Sequence, residues 1–325
     1  MLTALGLWAQ RAVARRPLWT DVYGVARTLL ALSTALTLAF NSTATLFLQS
    51  AITHDNPPLC GGMRSIDPFC VTPAAHLEVA RWLCVALLLV VGSGWRPRVT
   101  GLVHWWIAFG LHGSANILDG GDNVCAVLTL LLVPITLTDD RLWHWQRPAI
   151  ARQSSFARLV AASAFLVIRL QVSGIYFHAA LAKTAIAEWG DGTALYYWLL
   201  HDEVGAPRWL VPVVHALLIR PTVVTLATWS IVVLEFVLSA ALLLPARRRQ
   251  PLLLLGLSLH AGILVVQGLF SFSLAMAGAL VLYLRPLDAA ITLTSPLSNH
   301  ASHGQCGDGP ATHTRRQSEQ PTVEG

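Results

Sequence analysis

The chain has 325 residues, of which 54% are hydrophobic and 12% charged, with a mean hydropathy of +0.57. A soluble domain carries about 25% charged residues, so these figures exclude a disordered protein, a nucleic-acid-binding domain and an ordinary cytosolic enzyme. They indicate an all-α, polytopic integral membrane protein. The net charge of +5 comes from 21 arginines and a single lysine, Lys183, and is read as a topology signal rather than as affinity for an acidic partner.

Residues 1–21 form a cytoplasmic N-terminal segment. Leu2, Leu5, Ala9, Ala12 and Val13 recur at helical spacing beside Arg11, Arg15 and Arg16. This suits either a short helix on the inner leaflet or a frayed terminus. The long basic region and the lack of an A-x-A site after the first span argue against a cleavable secretory signal. A membrane-crossing helix needs about 20 mostly apolar residues. Spans are expected at Val22–Phe40, Leu77–Gly94, Gly101–Ile117, Val124–Thr138, Phe156–Ala182 and Val223–Leu244. The stretch Leu252–Leu284 has no charge and is long for one helix. A break near Gln267-Gly268 divides it into Leu252–Val266 and Phe270–Leu284, giving about eight spans in a domain of residues 22–285. With the N-terminus inside, 15 basic residues fall in inner segments and 3 in outer ones. That bias places both termini in the cytoplasm and favours the final hairpin over one long helix. Trp95, Trp143, Trp145, Trp189 and Trp209 mark span ends, where an amphipathic ring suits the headgroup zone.

Three outer regions follow from this topology. The loop from Asn41 to His76 holds Cys60 and Cys70, a candidate disulfide on the side where disulfides persist. The second loop carries Asp119-Gly120-Gly121-Asp122-Asn123, readable as a cation or ammonium site or as a turn using Gly and Asp for their turn chemistry. The third, Glu188 to Pro221, begins Glu188-Trp189-Gly190-Asp191 and continues through Tyr196, Tyr197, Trp198, His201, Asp202 and Glu203. Acidic groups beside aromatics suit a binding surface or an interfacial belt. Trp209–Ile219, at 11 residues, is too short to cross and is expected to be re-entrant or interfacial. Residues 286–325 form a cytoplasmic tail whose Ser, Thr, Gly, Pro and His content predicts disorder. His300, His303, His313 and Cys306 there suit a loose polar tail better than a metal site, and no other Cys or His spacing reads as one.

Ionisable groups inside hydrocarbon are functional candidates. Arg169, Ser173, Tyr176, Ala180 and Lys183 share one face of the fifth span, with Gln171 and His178 on another, so this helix is expected inside the bundle. Glu235 matches Arg169 by depth, and Glu78 pairs with Arg81 at i,i+3. Lys183, near the outer end, is expected to find Glu188, Asp191, Asp119 or Asp122. Buried ion pairs that fix register are the alternative to function for Arg169–Glu235 and Glu78–Arg81. A partly desolvated Lys183 is usable as a base or nucleophile, or it snorkels to the headgroups. His104, His112, Asn116 and His260 are further polar groups within spans.

The run Gly174-Ile175-Tyr176-Phe177-His178-Ala179-Ala180-Leu181-Ala182-Lys183, followed by Glu188-Trp189 and Gly192-Thr193-Ala194, resembles the signature of the horizontally transferred transmembrane domain shared with vitamin K-dependent gamma-carboxylase. A wider set resembles the sporulation-delaying protein B family. It comprises Thr20–Arg27, Leu30–Thr34, Phe40-Asn41-Ser42, Ser93–Arg98, His104-Trp105-Trp106, Asp119–Asp122 and Leu137-Thr138-Asp139, in order along the chain. That resemblance implies a multi-pass protein of the bacterial inner membrane, encoded with a secreted peptide-toxin precursor and a small partner protein, that helps mature or export the toxin. The carboxylase kinship implies a lysine base acting on a reduced quinone. Here Lys183 is followed by Thr184 rather than a second lysine, and the large extracytoplasmic domain is lacking, so Lys183 alone is carried over as the base position. Tyr176 and His178 accompany it as candidate catalytic residues, with Glu188, Trp189, Asp191, Asp119 and Asp122 as candidate binding residues. A quinone-linked membrane enzyme and a transporter are the competing readings. No inverted repeat or pair of broken helices supports the last.

Overall fold

A computed structural model describes residues 18–48, 58–116, 118–146, 154–202 and 204–287. The expected helix within Leu2–Val13, Glu203, and the tail with His300, His303, Cys306 and His313 lie outside the described residues.

The protein is all-helical: among the described residues there is no strand, only an isolated bridge between Trp95 and Trp143. The principal helices are α1 Asp21–Phe40, α2 Leu77–Ser93, α3 Pro97–Ser114, α4 Gly120–Leu137 and α5 Ser155–Thr184, followed by the short α6 Ala194–Leu199 and α7 Val211–Leu218. Then come α8 Pro221–Ser239, α9 Ala246–Gln267 and α10 Phe270–Leu284. Six are long and apolar enough to cross a membrane: α1, α2 with the turn before it, α4, α5, α8 and α9. Of the other two expected spans, α10 is apolar but only 15 residues long, and α3 is less apolar because it carries Arg98, His104 and His112.

Local chemistry sets the ends. Gly94 and Gly268 stop α2 and α9 in the left-handed conformation, at φ 91° and 70°. The long apolar stretch is therefore two helices, broken at Gly268. Pro97 and Pro221 open α3 and α8 where a helix lacks N–H partners anyway. The span expected to reach Leu244 ends instead at Ser239 with a 3₁₀ turn at Ala241–Leu243, since Pro245 disfavours helical geometry in the residue before it. Trp209–Ile219 contains only the eight-residue α7.

The last helix packs against the first, and α1 also meets α2 and α4. One core joins α1, α4, α5, α9 and α10, and a second joins α1, α2, α3 and the loop before α2. Close approach relies on small residues, as in other membrane bundles. A Cβ on Gly101 of α3 would fall 2.2 Å from the Thr136 hydroxyl of α4.

The helix ends form two faces. On the first, Cys60 and Cys70 are joined in a disulfide. Its loop docks on α3: Trp106 Nε1 donates to Ile66 O at 2.7 Å, and Arg64 donates to Gly113 O at 3.1 Å. Asp67, fully buried, accepts from the backbone of Phe69 and Cys70 at 2.8 Å each, and burial pushes its carboxyl above the usual range. Glu78 bonds Arg81 at 2.7 Å and also accepts from the Thr43 amide and hydroxyl, fixing the start of α2 to the turn after α1.

On the opposite, arginine-rich face the α4–α5 loop closes a buried knot that the sequence did not single out. Asp139 and Arg141 form a two-pronged pair at 2.8 Å. Arg141 also donates to His144 O at 2.7 Å. The His144 amide donates to Gly94 O at 3.0 Å, and the ring sits where a Cβ on Gly94 would be, 2.3 Å away. Arg27, fully buried, donates to the Thr100 hydroxyl and approaches His144 Nδ1 at 3.5 Å. Arginine only donates, so Nδ1 is the bare nitrogen and the ring is neutral. Burial, and then the Arg27 and Arg141 charges, hold the His144 pKa down to about 3.

This predicts an acid-sensitive fold. The ordinary histidine pKa is 6.5, so between about pH 6.5 and 3 the unfolded chain takes up a proton that folded His144 refuses. The contribution is complete above pH 6.5 and is lost as pH falls through that window. In melts of the detergent-solubilised protein from pH 7 to 4, wild type should lose stability more steeply than His144→Gln. Parallel slopes would contradict this assignment.

Candidate functional site

Helix α5 is 30 residues long and presents Tyr176, Ala180 and Lys183 along one face. Lys183 donates to both oxygens of Glu235 on α8, at 2.8 and 2.9 Å. The pair is sheltered, with side-chain exposures of 23% and 10%. The Lys183 ammonium also stands 5.3 Å from the centre of the Trp189 ring. Two turns down α5, the Tyr176 hydroxyl lies 3.0 Å from His260 Nε2 on α9. Both residues are buried, and His260 Nδ1 has no hydrogen-bond partner. The frame around them is pinned by backbone acceptors. Ser173 donates to Ser239 O at 2.6 Å, Ser273 to His260 O at 2.9 Å, and Tyr283 to Leu238 O at 2.8 Å.

Two cavities meet at this centre. The larger, about 630 Å³, is walled mainly by apolar side chains including Ile186, Trp189, Leu195, Trp198, Ile231 and Ile263. The smaller, about 410 Å³, lies between α4 and α5 and includes Asn123, Gln171 and His178. Ala179, Lys183, Glu235, His260 and Phe272 line both. Such volumes suit a small or extended organic ligand.

Two expectations about ion pairs are corrected. Glu235 pairs with Lys183, not Arg169. Arg169 lies fourteen residues earlier, about 21 Å along the axis at 1.5 Å per residue, and donates to Leu282 O and Arg285 O. Lys183 meets none of Glu188, Asp191, Asp119 or Asp122, because a helical side chain leans toward the N-terminus of its helix. That direction carries the ammonium back toward Glu235 instead of out to the loops.

Asp119 and Asp122 form a capping box at the start of α4. Asp119 accepts from Gly121 N at 2.6 Å and from Ser271 at 2.7 Å, and Asp122 accepts from Thr37 at 2.9 Å. Their oxygens therefore tie α4 to α1 and α10. Asp191 accepts from the amide and hydroxyl of Thr193, at 3.0 and 2.6 Å, and shapes the turn that leads to α6. Glu188 is exposed, whereas Trp189 is buried beside Lys183. His178 and Gln171 do not turn into the bundle. His178 is exposed and Gln171 half-buried, both on the smaller cavity, where a Cβ on Gly174 would meet nothing within 4 Å. Among the described residues no three His, Cys, Asp or Glu side chains converge as metal ligands would. His260, named from the sequence only as a polar group within a span, is the member that lacked an assigned role. Its signal was a lone ionisable group in an otherwise uncharged apolar run.

The centre carries no net charge whichever partner of Lys183–Glu235 holds the proton. It combines that exchangeable proton with the Tyr176–His260 hydrogen bond, at the meeting point of two cavities.

No family model matches the chain, and no solved structure matches it. Two proteins of Bacillus subtilis (strain 168) are similar over most of their length. An uncharacterized protein, YitO, is 38% identical over 278 residues, covering 85% of this chain and 89% of the relative. Sporulation-delaying protein SdpB is 36% identical over 283 residues, covering 86% of each.

Proposed function

The chain belongs to the sporulation-delaying protein B family of membrane proteins, and from that membership we propose that it serves the maturation or export of a secreted peptide toxin, in the bacterial inner membrane and with a small partner protein. The observation that carries this reading is the junction of two cavities at Lys183, Glu235 and His260, with Tyr176 bonded to His260, a sheltered polar centre inside an apolar bundle. On this reading the precursor's apolar segment enters the larger cavity and the polar centre acts on it or passes it on. A strain lacking the gene should make the precursor and secrete no mature peptide. Mature peptide at the wild-type level in that strain would refute the proposal.

A second reading, a quinone-linked enzyme with Lys183 as base, is favoured by one contact. Transfer of the proton from Lys183 to Glu235 across 2.8 Å leaves a free amine facing both cavities. The residues fit a quinone ring: Trp189 and Trp198 wall the larger cavity, and His260 Nδ1 is a buried polar atom without a partner. Bound there, the ring would supply redox chemistry, while Lys183, Glu235, Tyr176 and His260 would hold and move protons. Solvent extraction of the purified protein, followed by mass spectrometry, should then yield a quinone in proportion to protein. A quinone-free extract from active protein would remove this reading.

A further inference from the structure

We infer that the junction of the two cavities is a charge-neutral recognition site for an uncharged, apolar peptide segment, one of whose peptide units is held between Lys183 and His260. The inference rests on reading these cavities as the substrate site.

Three observations carry it. The Lys183–Glu235 contact uses both carboxylate oxygens and leaves one N–H of the ammonium for another acceptor. Because the pair sums to zero charge, an ionised ligand group would be buried in an apolar cavity without a counter-ion, which is costly. A neutral carbonyl carries no such penalty.

His260 supplies the second contact. It is 4% exposed, lines both cavities, and its Nδ1 lacks a partner. A neutral imidazole has one donor and one acceptor nitrogen. If the Tyr176 hydroxyl donates to Nε2, Nδ1 is a donor and takes a carbonyl; in the other tautomer it is an acceptor and takes an N–H. A peptide unit offers both groups. A lipid ester offers only the acceptor, so the chemistry favours a peptide.

The third observation is continuity. The cavities share Ala179 and Phe272 as well as the polar trio, so a ligand held at the junction extends into both. That suits a chain held in the middle, not a headgroup held at its end.

The test uses the full-length protein in nanodiscs and surface plasmon resonance. The probes are N-acetylated, C-amidated ten-residue peptides of Ala, Leu, Val and Gly, either unchanged or with one central Asp or Lys. Wild type should bind the neutral peptide, and each charged peptide at least about tenfold more weakly, the equivalent of about 1.4 kcal/mol. Glu235→Gln leaves Lys183 unpaired, so the order should invert in favour of the Asp-bearing peptide. His260→Phe keeps the ion pair and should weaken the neutral peptide about tenfold while leaving the charge order unchanged; it serves if Glu235→Gln does not fold. Equal binding of the three peptides to wild type would overturn the inference, as would unchanged affinity in His260→Phe. Displacement of the peptide by equimolar monoacylglycerol would assign the site to lipid and overturn it too. A deletion strain that still secretes mature peptide would refute the proposed function and leave these binding results standing, so the two failures are distinguishable.

Discussion

Lys183→Met lowers the stability of the solubilised protein by about 3–5 kcal/mol, the usual cost of removing one partner from a buried ion pair. The physical cause is the Glu235 carboxylate, which is left without its ammonium partner in a site of 10% side-chain exposure. Denaturant titration or thermal melting in detergent measures the loss. The double variant Lys183→Met/Glu235→Leu removes both charges and retains apolar volume, so its stability should return to within about 1–2 kcal/mol of wild type or exceed it. If the single variant is as stable as wild type, the pair does not exist in the membrane as described. Comparing the two variants also separates folding from function. The double variant restores the fold without restoring the Lys183–Glu235 proton-exchanging pair at the cavity junction.

A loss of similar size is expected at the opposite end of the bundle. Arg141→Met strands Asp139, whose side chain is fully buried, and removes the donors to His144 O and Gln146 O. The cost should again be about 3–5 kcal/mol. Here the knot fastens the α4–α5 loop to the α2–α3 connection, through the His144 amide on Gly94 O and the Arg96 amide on Leu142 O at 2.7 Å. The site around Lys183 lies at the other ends of the helices. Arg141→Met should therefore lower the amount of folded protein and leave mature peptide per folded molecule unchanged. Chemical denaturation, together with peptide yield normalised to membrane-inserted protein, checks both parts. A fully stable Arg141→Met protein, or one that is well folded and inactive, would contradict this division.

What the sequence made legible follows from how local each feature is. Helix positions came from apolar runs, and the break at Gly268 from one glycine beside Gln267, because hydrophobicity and turn chemistry are properties of adjacent residues. The Glu78–Arg81 pair was readable for the same reason, as a three-residue spacing on one helix. The partner of Lys183 was not. Matching Arg169 to Glu235 by mid-span depth treated α5 as a helix centred in the bilayer. Its 30 residues instead set Ser173 level with Ser239, so Lys183 is the residue that reaches Glu235. Contacts between helices depend on such register, which no single segment encodes. The Asp139–Arg141–His144 knot was hidden differently. Its residues are adjacent, but only the loop's conformation turns them inward against Arg27 and Gly94. Asp119 and Asp122 were open to two readings because the same Gly-Asp chemistry serves a turn and a cation site, and the structure shows the pair in a capping box. The single lysine among 21 arginines, notable first as composition, stands where both cavities meet.

If the Lys183–Glu235 junction is the working site and not only a structural tie, removing both charges abolishes peptide maturation in a protein that still folds. The most direct test is mass spectrometry of the peptide made by cells carrying Lys183→Met/Glu235→Leu, with the variant present in the membrane at the wild-type level. Precursor without mature secreted peptide is the expected result. A wild-type ratio of mature peptide to precursor would contradict it.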